Sequence, residues 1–570
     1  MRTPSRLPLL ALPLVLLAAC GGSDSTGPDG GTTPPPTTLG APTSVQGTAL
    51  STSAVRLTWT AVTGATAYVV QRTPAGGSAT RAGVATAATF DDSGLLPATS
   101  YQYQVAAVRG ADTSSYSAAV TVATRALGAV AAALRGDITA SRTLSADTTY
   151  VISGFVKVRA GATLTIQPGT RLVGDSTVAG SLLMIARGAR IDARGTEAQP
   201  IVFTSQRAAG SRAPGDWGGL VIVGNAPSSR TPALARTVGT AAQAETYGGG
   251  TSAGDDSGIL RYVRVEFAGA EVPTGTDGTP TAVGAFSFYA VGRGTTVEYL
   301  QALENLGSSF QWFGGTVDAR YLVSYESGDD HFSWSEGYQG RNQFVIGFQS
   351  HEPAPRAGLV STTPRGFQGY GCDPNVEGCV TSTQAPISEP VFANFTLVGP
   401  GAGGFAALQT RDQSHGIMIR RGSGASLVNG VVARWQAQGL SVREAATDTL
   451  RQRDSLYIGA VLLTDNQLGP FDAAGGAGFG TATNFPGAVA GTGTAATLFT
   501  ALPTGVPTAA AFDWTPATPL RTGGLAAFPT RVAARTGGFF GAPLATTTYL
   551  GAVSPTGPRW WQGWTSYARN

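Results

Sequence analysis

Residues 297–316 read VEYLQALENLGSSFQWFGGT, and residues 319–338 read ARYLVSYESGDDHFSWSEGY. Laid over one another at an offset of 22, they share six identities: Tyr299 with Tyr321, Leu300 with Leu322, Glu304 with Glu326, Phe310 with Phe332, Trp312 with Trp334, and Gly315 with Gly337. Looser copies recur upstream in RYVRVEFAG (261–269) and downstream in NQFVIGFQS (342–350), FANFTLVG (392–399) and SLVNGVVAR (426–434). A period near 22, with β-prone runs and no amphipathic helix, fits one coil of a parallel β-solenoid, whereas a propeller blade needs about 40 to 50 residues. Coils stack ~4.8 Å apart and bury their inward side chains only against neighbours, so Tyr299 and Tyr321 should be adjacent in a ladder. GATLTIQPGTRLVGD (161–175) and LLMIARGARIDARGTEAQPIVFTS (182–205) read as earlier coils. The solenoid is expected over 145–465, followed by irregular C-terminal coils and an aromatic cap over 466–570.

Upstream of a connector at 126–144, residues 42–125 carry short alternating runs divided by Gly, Pro, Ser and Thr, the pattern of a β-sandwich. Val55, Leu57 and Trp59 alternate on one run, and Tyr101, Tyr103 and Val105 on another after LLPATSY. With Pro42 ahead of them, these features resemble a fibronectin type III domain, which implies a spacer or adhesion unit.

The chain opens MRTPSRLPLLALPLVLLAAC, two arginines and an apolar run ending at Cys20. Thirteen apolar residues fall short of the roughly 20 needed to span a bilayer, and the segment reads as a secretion signal, 1–19. Small residues before Cys20 resemble a bacterial lipobox. That resemblance implies cleavage before Cys20, lipid on its thiol, and an outer-membrane or cell-surface location. The Gly, Ser, Thr and Pro of 20–41 read as a flexible tether.

Composition narrows the function. With 42% hydrophobic and 13% charged residues, 78 Gly and a formal charge of +3, the chain is neither a charged disordered polymer nor a coiled coil. Lys157 is the single lysine and no basic run exceeds pairs such as Arg420 and Arg421, so nucleic acid is not an expected partner. Cys372 and Cys379, seven residues apart in GCDPNVEGC, make a disulfide the default in an oxidising compartment.

The densest polar cluster, YESGDDHFSWSEGY, sets Glu326, Asp329, Asp330, His331 and Glu336 close together. Bunched carboxylates suit calcium, with Glu326, Asp329, Asp330 and Glu336 as ligands, or else cap a tight turn through backbone N–H groups. GDD at 328–330 with SHGIMIRRG at 414–422 resembles polygalacturonase-like glycosidases, which implies Asp329, Asp330 and His415 as catalytic candidates. Direct cooperation of Asp330 with His415 needs residues 352–388 to loop out, leaving two coils or ~10 Å between them. The glycosidases' Asn-Thr-Asp and Arg-Ile-Lys elements are missing. His331 and His351, with Glu352 and Asp329, form a further metal possibility. Trp312, Trp334 and Tyr338 are candidate sugar-stacking aromatics or solenoid core, and Trp560, Trp561 and Trp564 suggest a cap over the open solenoid end.

Together with PGDWGGLVIVGNAP and YLGAVSPTGPRWWQGWT, these motifs resemble a family of bacterial surface lipoproteins with a right-handed parallel β-helix. That family carries an acidic pair before the Phe of both repeats; here the first copy has Ser308 and Ser309. The expectation is a membrane-anchored surface protein binding glycan, an extracellular polysaccharide, or another surface protein. The alternative is a carbohydrate-active enzyme, a hydrolase or a calcium-assisted lyase, on the same fold.

Overall fold

The computed structural model describes residues 38–128, 130–274, 279–356, 363–401, 413–473, 478–502 and 511–568. The signal segment, Cys20 and nearly all of the tether lie outside the described residues.

Alternation along the early strands builds a sandwich. Thr43–Ala49, Ala54–Thr60 and Thr89–Ser93 form one antiparallel sheet; Thr80–Ala85, Ala67–Pro74 and Ser100–Arg109 lead the other. Val55, Leu57 and Trp59 pack between them against Tyr68, Val70, Tyr103 and Val105. The Leu96 N–H donates to the Tyr101 hydroxyl (2.9 Å) and pins the turn before the last long strand.

The rest of the chain is dominated by one parallel sheet of 23 strands wound into a β-helix. It begins earlier than the repeats suggest: Val130–Ile138, inside the expected connector, pairs in parallel with Thr148–Val158. It also runs past residue 465, because Ala488–Ala490 pairs with Leu456–Thr464.

Three strand columns form the walls. One column stacks Leu182–Ile185, Leu220–Val223, Phe286–Tyr289, Phe310–Phe313, Phe332–Ser335, Phe367–Gly369, Ile417–Ile419 and Leu440–Val442. The other two share long bent strands, among them Gly258–Glu266, Thr296–Asn305, Ala319–Ser327 and Arg341–Phe348. The bend falls on a residue with positive φ in each coil: Tyr262, Tyr299, Tyr321, Phe344, Asn394, Asn429 and Ala460, between 49° and 61°. Left-handed backbone costs a non-glycine residue roughly 1–2 kcal/mol. Stacking offsets that cost where rings occupy the bend, with centroids 4.4 Å apart for Tyr262–Tyr299, 4.5 Å for Tyr299–Tyr321 and 5.2 Å for Tyr321–Phe344.

The 22-residue offset is the true register, since Leu300 pairs with Leu322, Phe310 with Phe332 and Trp312 with Trp334. Successive side chains on a strand alternate in and out, so Phe310 and Trp312 share the inner face. Inside, Phe286, Phe310 and Phe332 stack at 5.0 and 5.3 Å, and Trp312 lies flat on Tyr338 at 5.2 Å. Gly369 follows Trp334 in the same row; a β-carbon there would sit 2.6 Å from the Trp334 ring, so the indole occupies the space a side chain would take.

The C-terminal segment departs from expectation. Trp561, Trp564 and Tyr567, with Phe499, Phe512 and Trp514, lie along the flank of the helix against Leu303, Val323, Tyr325, Ile346 and Phe348, and Trp564 meets Tyr262 and Tyr299 edge-on. They brace a side wall instead of capping the end. Phe471, Phe479 and Phe485 are the aromatics packed on the core near the last coils.

Candidate functional site

Two outcomes follow from the alternation of strand residues. Trp312, Trp334 and Tyr338 face inward and are at most 1% exposed, which removes them as a sugar platform. Their neighbours Gln311 and Ser333 face outward, and pair in register with Gln368 of the next coil.

This outward column floors a lateral cleft of about 200 Å³. Ser308, Asp329 and Asp330 form part of its lining, with Ser335 and Tyr370 also bordering it. The Ser308 hydroxyl donates to Asp329 Oδ2 (3.0 Å). Asp330 is 1% exposed and faces Arg365 Nη1 at 3.4 Å. With the Gln368 amide oriented to satisfy its neighbours, its nitrogen donates to Asp330 Oδ2 (2.5 Å) and its oxygen accepts from the Tyr370 hydroxyl (2.8 Å). Burial, and then the Asp329 charge, raise the Asp330 carboxyl well above the ordinary aspartate range despite Arg365. Burial and the Asp330 charge push the Tyr370 phenol up to about 12.

The four proposed calcium ligands do not converge. Glu326 sits at a second corner of the coil, with positive φ like Glu304 one coil away. Its oxygens accept from the Ser350 hydroxyl (2.5 Å), the Ser350 N–H (2.8 Å) and the Tyr567 hydroxyl. The capping expectation therefore describes Glu326, whereas Asp329 and Asp330 bond side chains. Glu336 turns to the opposite side of its strand, where it accepts from the Tyr247 hydroxyl and faces Arg230 at 3.5 Å; burial raises its carboxyl. Among the described residues no three His, Cys, Asp or Glu side chains are arranged to hold a metal ion.

The histidines are likewise dispersed. His331 is buried against Ser324, and burial lowers it to about 4. His351 joins neither Asp329 nor His331; Nδ1 lies 3.0 Å from Glu326 and Nε2 3.3 Å from Glu304. Asp330, Arg365 and His415 occupy one row on three successive coils, as the strand pairings set it. His415 is fully buried and faces Asp472 at 3.4 Å, so it does not reach the cleft.

Sequence reasoning placed Asp329 and Asp330 but missed Arg365, Gln368 and Tyr370. The available signal was FQGYG (367–371), which lies inside the 352–388 stretch expected to loop out; its Phe367 pairs with Phe332 and with Ile417, so this stretch contributes a coil of its own. Cys372 and Cys379 form a disulfide just beyond Tyr370.

Residues 136–500 match the family described as pectate-lyase like beta helix domain. The chain belongs to that family. Ahead of this pectate-lyase-like β-helix, residues 40–123 match the fibronectin type III domain. Similar solved structures include the FN1-FN3 domains of chicken CNTN1, 25% identical over 15% of this chain and 30% of that one, with a TM-score of 0.14. The FN5 domain of Drosophila Lar is 26% identical over 15% of this chain and 97% of its own, TM-score 0.14. The fn3 domain of human collagen alpha-1(XX) is 24% identical over 17% and 96%, TM-score 0.15. The chain spans less than a third of the CNTN1 structure. No curated protein matches it.

Proposed function

We propose that this chain is a lipid-anchored surface protein whose β-helix binds glycan in the lateral cleft. The observation that carries the reading is the outward pair Gln311 and Ser333, neutral hydrogen-bonding groups one coil apart, beside the Tyr370 ring, whose hydroxyl is held by the Gln368 amide in the same column. Such groups match sugar hydroxyls, and an aromatic ring suits the apolar face of a sugar. The tether and sandwich would hold the cleft away from the membrane.

Full-length protein on a glycan array is expected to give saccharide-dependent binding. Tyr370→Ala and Gln311→Ala should each weaken it by about 5- to 30-fold, the loss of roughly 1–2 kcal/mol per contact. An array without saccharide signal, or variants that bind as the wild type does, would overturn the reading.

A second reading, polysaccharide hydrolysis, is favoured by one feature: Asp330 holds its proton to a higher pH than usual beside the Asp329 carboxylate. An acid that protonates a glycosidic oxygen and a neighbouring carboxylate that assists water are the parts hydrolysis needs. Release of reducing ends that is lost in Asp330→Asn would move the conclusion to this reading.

The anchor has its own test. Cys20→Ser should shift the protein from the membrane fraction to the soluble or unprocessed pool and abolish fatty-acid labelling. Retained label in that variant defeats the lipid anchor.

A further inference from the structure

We propose that the cleft sorts glycans by charge, accepting chains of neutral or amine-bearing sugars and turning away uronate chains. This rests on the glycan reading above. The lining contains the Asp329 carboxylate and the buried Asp330 carboxyl, and no Arg, Lys or His, so its charge is carried by Asp329. A uronate carboxylate entering it would lose water and meet like charge, with no cation in the wall to replace what it lost.

The basic groups nearby are already engaged. Arg365 is 5% exposed and faces Asp330 at 3.4 Å from behind the wall. Arg420 and Arg421 lie over the Tyr370 ring, 5.8 and 5.5 Å from its centre, but Arg420 faces Glu444 at 3.6 Å and Arg421 pairs with Asp373. Lys157 is committed to Glu245 at 2.8 Å. A bridging cation is the other way to bring a uronate to a carboxylate, and no three ligating side chains gather for one among the described residues.

A protonated amino sugar reverses the argument, because its ammonium gains from the wall that repels a carboxylate. Neutral sugars fall between, held by the hydroxyl-matching groups and the Tyr370 ring. The cleft therefore differs in charge preference from a site built for pectate, whose repeating unit is a uronate.

The test measures binding of pentasaccharides to the full chain by calorimetry: neutral pentamers of glucose, mannose and galactose, a chitosan pentamer, and a galacturonate pentamer. The galacturonate pentamer is expected to bind at least about tenfold more weakly than the best neutral one, and the gap should narrow at high salt. Asp329→Asn should narrow the gap as well, and Gln311→Arg, which adds a cation to the floor, should admit the galacturonate. Circular dichroism and the melting midpoint confirm that both variants are folded. Galacturonate binding as tight as the best neutral pentamer in the wild type, with or without calcium, overturns the charge selection and leaves the glycan reading standing. Failure of every pentamer to bind overturns the glycan reading, and the selection with it.

Discussion

Replacing His351 by leucine is expected to cost the β-helix about 3–5 kcal/mol, read as the loss in unfolding free energy in denaturant. The imidazole bridges Glu304 of one coil (3.3 Å) and Glu326 of the next (3.0 Å), and both carboxylates are buried. Removing the cation takes the one imidazolium from between two buried carboxylates, while the Ser350, Tyr567 and residue-351 backbone donors on Glu326 remain. Converting both glutamates to glutamine in the same protein should recover much of the loss, because the leucine variant suffers mainly from the uncompensated charge.

The pH dependence has a definite sign. Although burial opposes it, the two carboxylates raise His351 from 6.5 to about 10, and the same contacts lower Glu326 below the ordinary glutamate range. A histidine with a raised folded pKa contributes stability that is complete below its unfolded value and fades as pH rises through its folded one. The wild type should therefore lose stability between about pH 6.5 and 10, with a slope that is absent in His351→Leu. The other groups near this cluster are His331, held neutral by burial down to about 4, and Tyr567, whose phenol is pushed far up by burial and Glu326, so neither titrates inside the window. Identical slopes for variant and wild type would show that His351 is not a charged partner.

The solenoid was legible because one row of residues does the same job in every coil. Phe310 with Phe332 and Trp312 with Trp334 are repeated since each must fill the same slot above its neighbour, and sequence identity records that demand. Parity on the same strand also placed both tryptophans inside, a signal stronger than their chemical suitability for sugars. What the repeat did not reveal is whatever is made once. Gln368 and Tyr370 reach the cleft, and Arg365 the wall behind it, only after the offset between paired strands grows from 22 residues (Phe310 to Phe332) to 35 (Phe332 to Phe367). Glu304 and Glu326 align as a repeat, but their role depends on His351 from the following coil and Tyr567 from the far end of the chain. A carboxylate cluster in sequence consequently scattered in space: Glu326 to one corner, Asp329 and Asp330 to the cleft, and Glu336 to the Tyr247 and Arg230 side.

The C-terminal brace supplies the other large effect. Trp514→Ala is expected to lower stability by about 3–5 kcal/mol, the usual cost of emptying a buried aromatic site. Trp514 is 1% exposed, stacks beside Phe512 at 5.5 Å, meets Phe499 edge-on at 5.4 Å, and donates its indole N–H to the Tyr325 hydroxyl (2.9 Å). Alanine would leave a cavity and take away the donor that satisfies the buried Tyr325 oxygen. Tyr325 belongs to the β-helix wall, so the damage falls on the joint between brace and solenoid. Trp560, only partly buried and tilted over Tyr321 at 5.2 Å, provides the comparison, and Trp560→Ala should cost about 1 kcal/mol. If the brace holds the wall, Trp514→Ala should also expose apolar surface around Val323, Ile346 and Phe348, seen as dye binding and aggregation below the main unfolding transition. Equal, small losses from the two substitutions would mean that the segment rests on the helix without stabilising it.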